Sequence, residues 1–192
     1  MPIDNFKQIS NLLTFDSEDT FYHLQIIKRK KEHPDLGSNS HVVKTYYVTS
    51  PEYLNRNHDE IVTLCNSHFA RACINLNRRS FEKIAFQTLR KITDVIMNKD
   101  YKAARKAYES VAGTYSNEPE KRWIIDVDEA GGTQSAGIIA GIIKVLPPVG
   151  DKVLALVPTL NGYHIISRPF DRSKFTLKYD VHKDNPTILY VP

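Results

Sequence analysis

Apolar positions along the first fifty residues fall into two β-branched and aromatic clusters. One, over 21–31, holds Phe21, Tyr22, Ile26 and Ile27; the other, over 41–49, holds Val42, Val43, Tyr46, Tyr47 and Val48. The turn-rich stretch His33-Pro34-Asp35-Leu36-Gly37-Ser38-Asn39 separates them, so the pattern predicts two strands joined by a loop or hairpin. Ser50-Pro51-Glu52 marks a helix start, because serine caps and proline is pre-shaped for the first turn. That helix is expected to run to about His68, and 71–77 reads as the next strand.

Ser80 caps a longer helix, in which Phe81, Ile84, Ala85, Thr88, Ile92, Val95 and Ile96 recur at three and four residues to form one apolar stripe. A second helical stretch spans about 102–113. A short apolar strand, Trp123 to Val127, comes next, and then a helix over 133–145 with Ile138, Ile139, Ile142 and Ile143 on its apolar side. Pro147-Pro148 ends that helix. Residues 153–157 and 163–166 read as paired strands joined through Thr159-Leu160-Asn161-Gly162, since Asn-Gly is a strong hairpin signal. A last strand covers 187–191. The order is β-rich with interleaved helices, which predicts an α/β or α+β fold in one domain over 1–192.

Composition changes this picture little. Hydrophobic residues are 41% and charged residues 25% of 192, ordinary for a soluble globular chain. No apolar run reaches bilayer length. The opening Met1-Pro2-Ile3-Asp4-Asn5 lacks the order of a signal peptide, so a cytoplasmic location with no membrane partner is expected. Cys65 and Cys73 lie in apolar patterns without metal-ligand spacing and read as buried free thiols. The net charge is +4, and the cations come in blocks: Lys28-Arg29-Lys30-Lys31, Arg78-Arg79, and four between 99 and 106. Such blocks suit a polyanionic partner, nucleic acid above all.

Two segments carry candidate chemistry. In Trp123-Ile124-Ile125-Asp126-Val127-Asp128, strand alternation puts Asp126 and Asp128 on one face and Ile125 and Val127 on the other. Two neighbouring carboxylates repel unless a cation or solvent intervenes, and oxygen-only ligands suit Mg²⁺ or Mn²⁺. The bland reading is an apolar strand running out into a solvated acidic turn. In Asn161-Gly162-Tyr163-His164-Ile165-Ile166-Ser167-Arg168, burying Ile165 turns His164 and Ile166 the other way. Ser167 and Arg168 lie just beyond as donors for phosphate oxygens, the arginine as a bidentate fork. The bland reading there is a half-buried histidine bonded to backbone.

Together these segments resemble the archaeo-eukaryotic primase superfamily, which includes primase small subunits and primase-polymerases. That family carries an apolar strand ending in Asp-x-Asp, a strand with a small-residue-x-His motif, and a later third aspartate. Ile124-Ile125-Asp126-Val127-Asp128 is similar to the first and Gly162-Tyr163-His164 to the second. Val181 to Pro192 has the rhythm of the segment after the third acid. There the chain departs from the pattern: Lys178 stands where the acid is expected, Asp180 is the nearest acid, and Asp184 falls where the family often has a carboxylate that is not the main ligand. The resemblance covers roughly 121–192, leaving 1–120 as an N-terminal α/β part.

The resemblance implies a mixed sheet with flanking helices and an RRM-like catalytic half. It also implies template-dependent nucleotidyl transfer with two metal ions. Asp126, Asp128 and Asp180 would hold Mg²⁺ or Mn²⁺, while His164, Ser167 and Arg168 would bind the triphosphate. Arg78, Arg79 and Lys83 would track a single-stranded nucleic-acid template. Nucleoside triphosphates are the implied substrates, and the activity is compatible with a replicative helicase as partner. Two other readings of the same residues stand beside it: a catalytically silent primase-like module that binds nucleotide or strand, and another metal-dependent phosphoesterase or nuclease.

Overall fold

The computed structural model describes residues 2–37, 39–114, 116, 120–129 and 133–192. Its elements follow the sequence pattern closely. Ahead of the first expected strand come β1 (Ile3–Asp4) and α1 (Phe6–Ser10), then β2 (Thr20–Lys28) and β3 (His41–Val48). The single helix expected after Ser50 divides at Asn57 into α2 (Pro51–Arg56) and α3 (His58–His68). There Asn57 turns its side-chain amide back to the Tyr53 carbonyl at 2.7 Å, one of the local bonds by which asparagine competes with helix continuation. Next come β4 (Arg71–Asn75), β5 (Arg79–Ser80) and α4 (Phe81–Met97). Both serine caps form: Ser50 accepts from the Tyr53 amide at 3.0 Å and Ser80 from the Lys83 amide at 3.1 Å. The stretch 102–113 is also two helices, α5 (Tyr101–Ala104) and α6 (Ala107–Thr114). The chain ends with β6 (Trp123–Val127), α7 (Thr133–Val145), β7 (Val153–Pro158), β8 (Tyr163–Ser167), a 3₁₀ turn (Arg172–Lys174), β9 (Asp180–His182) and β10 (Pro186–Val191).

The architecture is α+β, and the expected mixed sheet is replaced by two antiparallel ones. The first runs β1-β10-β4-β2-β3 with β5 against β2, and the second β7-β8-β6-β9. Two helix-bearing connections skip one strand position: α2 and α3 carry the chain from β3 to β4 across β2, and α7 carries it from β6 to β7 across β8. An antiparallel strand fills each gap, so parallel strands are never direct neighbours. The last strand, β10, returns to the first sheet, so the two halves of the chain are stitched together.

The second sheet alternates as its sequence requires. Ile125, Val127 and Ile165 pack against Ala136, Ile139 and Ile143 of α7. Ile124, Val157 and Ile166 face the opposite way, into a core shared with Leu24, Ile26, Ile74 and Leu189 of the first sheet. Cys65 is buried and Cys73 half-buried, both as free thiols. The apolar stripe expected on α4 is only partly covered. Ile84 is buried but Ile96 is 50% exposed, and off the stripe Phe86, Leu89 and Met97 are exposed as well. Among the described residues no helix is long and apolar enough to cross a membrane.

One buried group makes this fold acid-sensitive. His23 is 1% exposed. Burial, with the Arg79 charge beside it, pushes it down from 6.5 to about 4, against a weaker opposing hydrogen bond with the Asn75 side chain, which favours the protonated ring. An unfolded chain therefore takes up this proton at higher pH than the folded one. Stability is whole above pH 6.5 and is lost as pH falls towards 4. The expected loss from this site is about 3 kcal/mol. Urea unfolding at about pH 7 and about pH 4.5 should show a smaller drop for His23→Gln than for the parent protein.

Candidate functional site

The candidate site is built on the middle strands of the second sheet. β6 lies between β8 and β9, and Asp126 is the direct cross-strand partner of both His164 and Asp180. Three chemically active side chains therefore stand in a row across three adjacent strands. Directly opposed side chains sit about 5 Å apart. Asp128 follows two residues after Asp126 on the same side of the chain, just past the end of β6. His182 is opposite Ile124 and shares the row's face.

His164 is held from both ends. Its Nδ1 lies 2.8 Å from the Thr187 hydroxyl, and its Nε2 lies 3.5 Å from Asp126 Oδ1. Thr187 is fully buried and belongs to β10, so the first sheet positions a side chain of the second. Burial pushes the His164 ring below its ordinary value, with His182 acting in the same direction, and the charges of Asp126 and Asp128 oppose this only in part. The ring is neutral near pH 7. Assigning the Thr187 hydroxyl as donor leaves the ring proton on Nε2, which faces Asp126 and the solvent side.

This row opens into a cleft of about 820 Å³ whose other wall is basic. Arg29 and Lys31 stand just past β2, and Arg71 opens β4. Glu32 organises that wall: it accepts from Arg71 Nε at 2.9 Å and lies 3.7 Å from Arg29. Among the described residues no three His, Cys, Asp or Glu side chains converge tightly enough to enclose a metal ion. Asp126, Asp128 and Asp180 are oxygen donors only, the ligand type of hard cations such as Mg²⁺ and Mn²⁺.

The chain matches no protein-family model, no curated protein and no solved structure.

Gly162 is required by close packing. A Cβ there would lie 1.9 Å from the Val127 carbonyl oxygen and 2.9 Å from the Glu129 nitrogen. The β7–β8 turn thus rests directly on the backbone from which Asp128 projects. Gly162→Ala is expected to cost about 2–3 kcal/mol, because two backbones must separate. Urea unfolding measures the loss, and a variant as stable as the parent would refute this contact.

The other residues singled out from the sequence go elsewhere. Ser167 is fully buried and belongs to the β8 positions that face α7, away from the acidic row. Arg79 is fully buried, donating to Asp184 Oδ2 at 2.9 Å and to the Ala112 carbonyl at 2.9 Å. Arg78 pairs with Asp16, and with Arg168 it lines a second cleft. Lys83 lies in the first turn of α4, remote in sequence and element from the row. Lys178, at the position where the sequence resemblance expects a third acid, pairs with Glu129 at 3.0 Å. Asp184 serves Arg79 and Asn77 rather than the row. Sequence reasoning missed Thr187, His182 and the wall of Arg29, Lys31 and Arg71. Only the basic run at 28–31 gave a signal for any of them.

Proposed function

We propose that this protein is a primase-polymerase that adds nucleotides to a template-directed strand in the acidic cleft. The observation that carries this reading is the row Asp180, Asp126, His164 across three neighbouring strands, with Asp128 beside it and cations opposite. The order of the second sheet supports it. From β6 to β9 the chain runs β-α-β-β-turn-β with the strands ordered β7-β8-β6-β9. This strand order is the one expected of a β-α-β-β-α-β unit in which the 3₁₀ turn Arg172–Lys174 stands in place of the second helix, and it supports the RRM-like half that the resemblance implies.

In this reaction the primer 3′-oxygen bonds to the α-phosphorus of a nucleoside triphosphate as the bond to pyrophosphate breaks. The hydroxyl proton passes to solvent or a nearby base. Mg²⁺ or Mn²⁺ bound by Asp126, Asp128 and Asp180 would supply charge neutralisation at the attacking and leaving oxygens. His164 offers its Nε2 proton to a phosphate oxygen, with the ring angle fixed by Thr187. Arg29, Lys31 and Arg71 give the opposite wall the positive charge a triphosphate needs, and Glu32 holds two of them in place meanwhile.

The silent-module reading draws on Lys178, the cation standing where the family places its third acid. Primer extension separates the two. Labelled nucleotides, a primed template and Mn²⁺ should give extension that Asp126→Asn removes. Binding of nucleotide without extension would favour the silent module. A protein that binds no divalent ion even beside a nucleoside triphosphate would reduce the row to a solvated acidic face.

A further inference from the structure

The second cleft, about 960 Å³, lies at the other end of the β6–β8 pair. Arg122 enters β6 and Arg168 leaves β8, next to the paired residues Trp123 and Ser167. Each is four residues from the acidic row, about 13 Å along the strand. Between the two clefts lie Ile124 and Ile166, cross-strand partners buried in the core shared with the first sheet. The clefts are therefore separate sites.

The second cleft has the opposite electrostatic character. Arg78, Lys121, Arg122 and Arg168 line it against three acids, Asp16, Glu120 and Asp171. The acidic cleft instead sets three cations (Arg29, Lys31, Arg71) against four acids (Glu32, Asp126, Asp128, Asp180). The basic positions are built into the fold. Asn77, 1% exposed, accepts from the Arg122 amide at 2.7 Å and donates to the Arg122 carbonyl at 3.0 Å. The Arg168 amide donates to the Lys152 carbonyl at 2.8 Å, fixing the exit from β8 while the side chain stays exposed. Leu154, Pro147, Pro148 and Pro169 give the same cleft an apolar surface, with Asp171 at its margin, where the Asp171 amide donates to the Pro147 carbonyl at 2.7 Å.

Cations from three chain segments that share one cleft with an apolar surface suit a ligand that alternates anionic groups with flat apolar ones. We propose that this cleft binds a single nucleic-acid strand, the phosphates on Lys121, Arg122 and Arg168 and the bases on the proline and leucine surface. Phosphate contacts provide the affinity, and apolar packing of bases is tolerant of sequence. This site needs no metal ion, and it goes beyond the nucleotidyl-transfer reading because it stands whether or not the acidic cleft is catalytic. A nucleoside triphosphate offers the same phosphate chemistry and is separated in the test.

The experiment is fluorescence anisotropy of a labelled single-stranded oligonucleotide lacking a 5′ phosphate, in chelator, over a salt series with the full chain. Lys121→Glu/Arg168→Glu should weaken binding at least tenfold. It should also flatten the slope of log affinity against log salt by about 1.4, since each lost single-strand phosphate contact removes about 0.7. Lys102→Glu/Arg105→Glu makes the same change of charge on exposed residues of the α5 region and should move affinity far less. Asp126→Asn/Asp128→Asn should leave strand binding intact, which keeps this site distinct from the acidic cleft even if primer extension fails. Thermal unfolding of each variant confirms that the fold is kept. Equal losses in the two charge-reversal variants would overturn the proposal, as would an unchanged salt slope. Displacement of the strand by a nucleoside triphosphate in chelator, with the same dependence on Lys121 and Arg168, would also overturn it and make the cleft a mononucleotide pocket.

Discussion

On the proposed function, Asp126→Asn is expected to reduce Mn²⁺-dependent primer extension by at least about 100-fold, since Asp126 would be a direct metal ligand and losing even an outer-shell partner costs about 10–100-fold. Thermal stability should hold or rise. Asp126 stands directly opposite Asp180 and two residues from Asp128, so neutralising it relieves like-charge repulsion. Its contact with His164 at 3.5 Å contributes little in return, because burial keeps that ring neutral near pH 7. Asp180→Asn should behave in the same way, being the other acid in direct register. Initial extension rates, calorimetric Mn²⁺ binding and melting temperature together test the pair. If Asp180→Asn extends primers at the parent rate while Asp126→Asn does not, the third ligand is not on β9.

Asp184→Ala should act in the reverse sense, through folding. Arg79 is fully buried, and its guanidinium is satisfied by both Asp184 oxygens, at 2.9 and 3.2 Å, and by the Ala112 carbonyl. Asp184 Oδ1 also accepts from Asn77 at 3.0 Å. Removing the carboxylate leaves a buried cation without its counter-charge, an error worth about 3–5 kcal/mol. Arg79→Met/Asp184→Leu removes both charges and should recover most of that loss, because a buried pair is replaceable by apolar groups of similar volume. Urea unfolding of the single and double variants provides the measurement. An Asp184→Ala protein as stable as the parent would exclude this role. Loss of extension in that variant should follow its unfolded fraction and recover on cooling, unlike the loss in Asp126→Asn.

The contrast between these two carboxylates shows where sequence reading stops. Asp180 and Asp184 lie four residues apart in one polar stretch, and local pattern treats them alike. Strand pairing separates them. β9 is only three residues long, too short for a periodic signal, yet its register on β6 places Asp180 beside Asp126. Asp184 falls in the link to β10 and meets a guanidinium 105 residues earlier in the chain. Arg79 looked like a surface cation in a basic pair, and its burial is decided by α6, whose Ala112 carbonyl it holds. Arg78, its neighbour, pairs with Asp16 instead.

What the sequence determined by itself is what depends on near neighbours. The period of two put Asp126 and Ile125 on opposite faces; Ser50 and Ser80 set helix starts; Asn161-Gly162 made the β7–β8 turn. The alternation also put His164 on the face of Asp126, because both strands bury their odd-numbered residues under α7. Tertiary structure alone decided the rest. It brought β10 back into the first sheet so that Thr187 braces His164, set Arg29, Lys31 and Arg71 across from the acids, and gathered Arg122 and Arg168 into a cleft of their own. The physical reason is range: capping and alternation are written within a few residues, whereas strand order, counter-charges and cleft walls come from groups that meet only when distant segments close on one core.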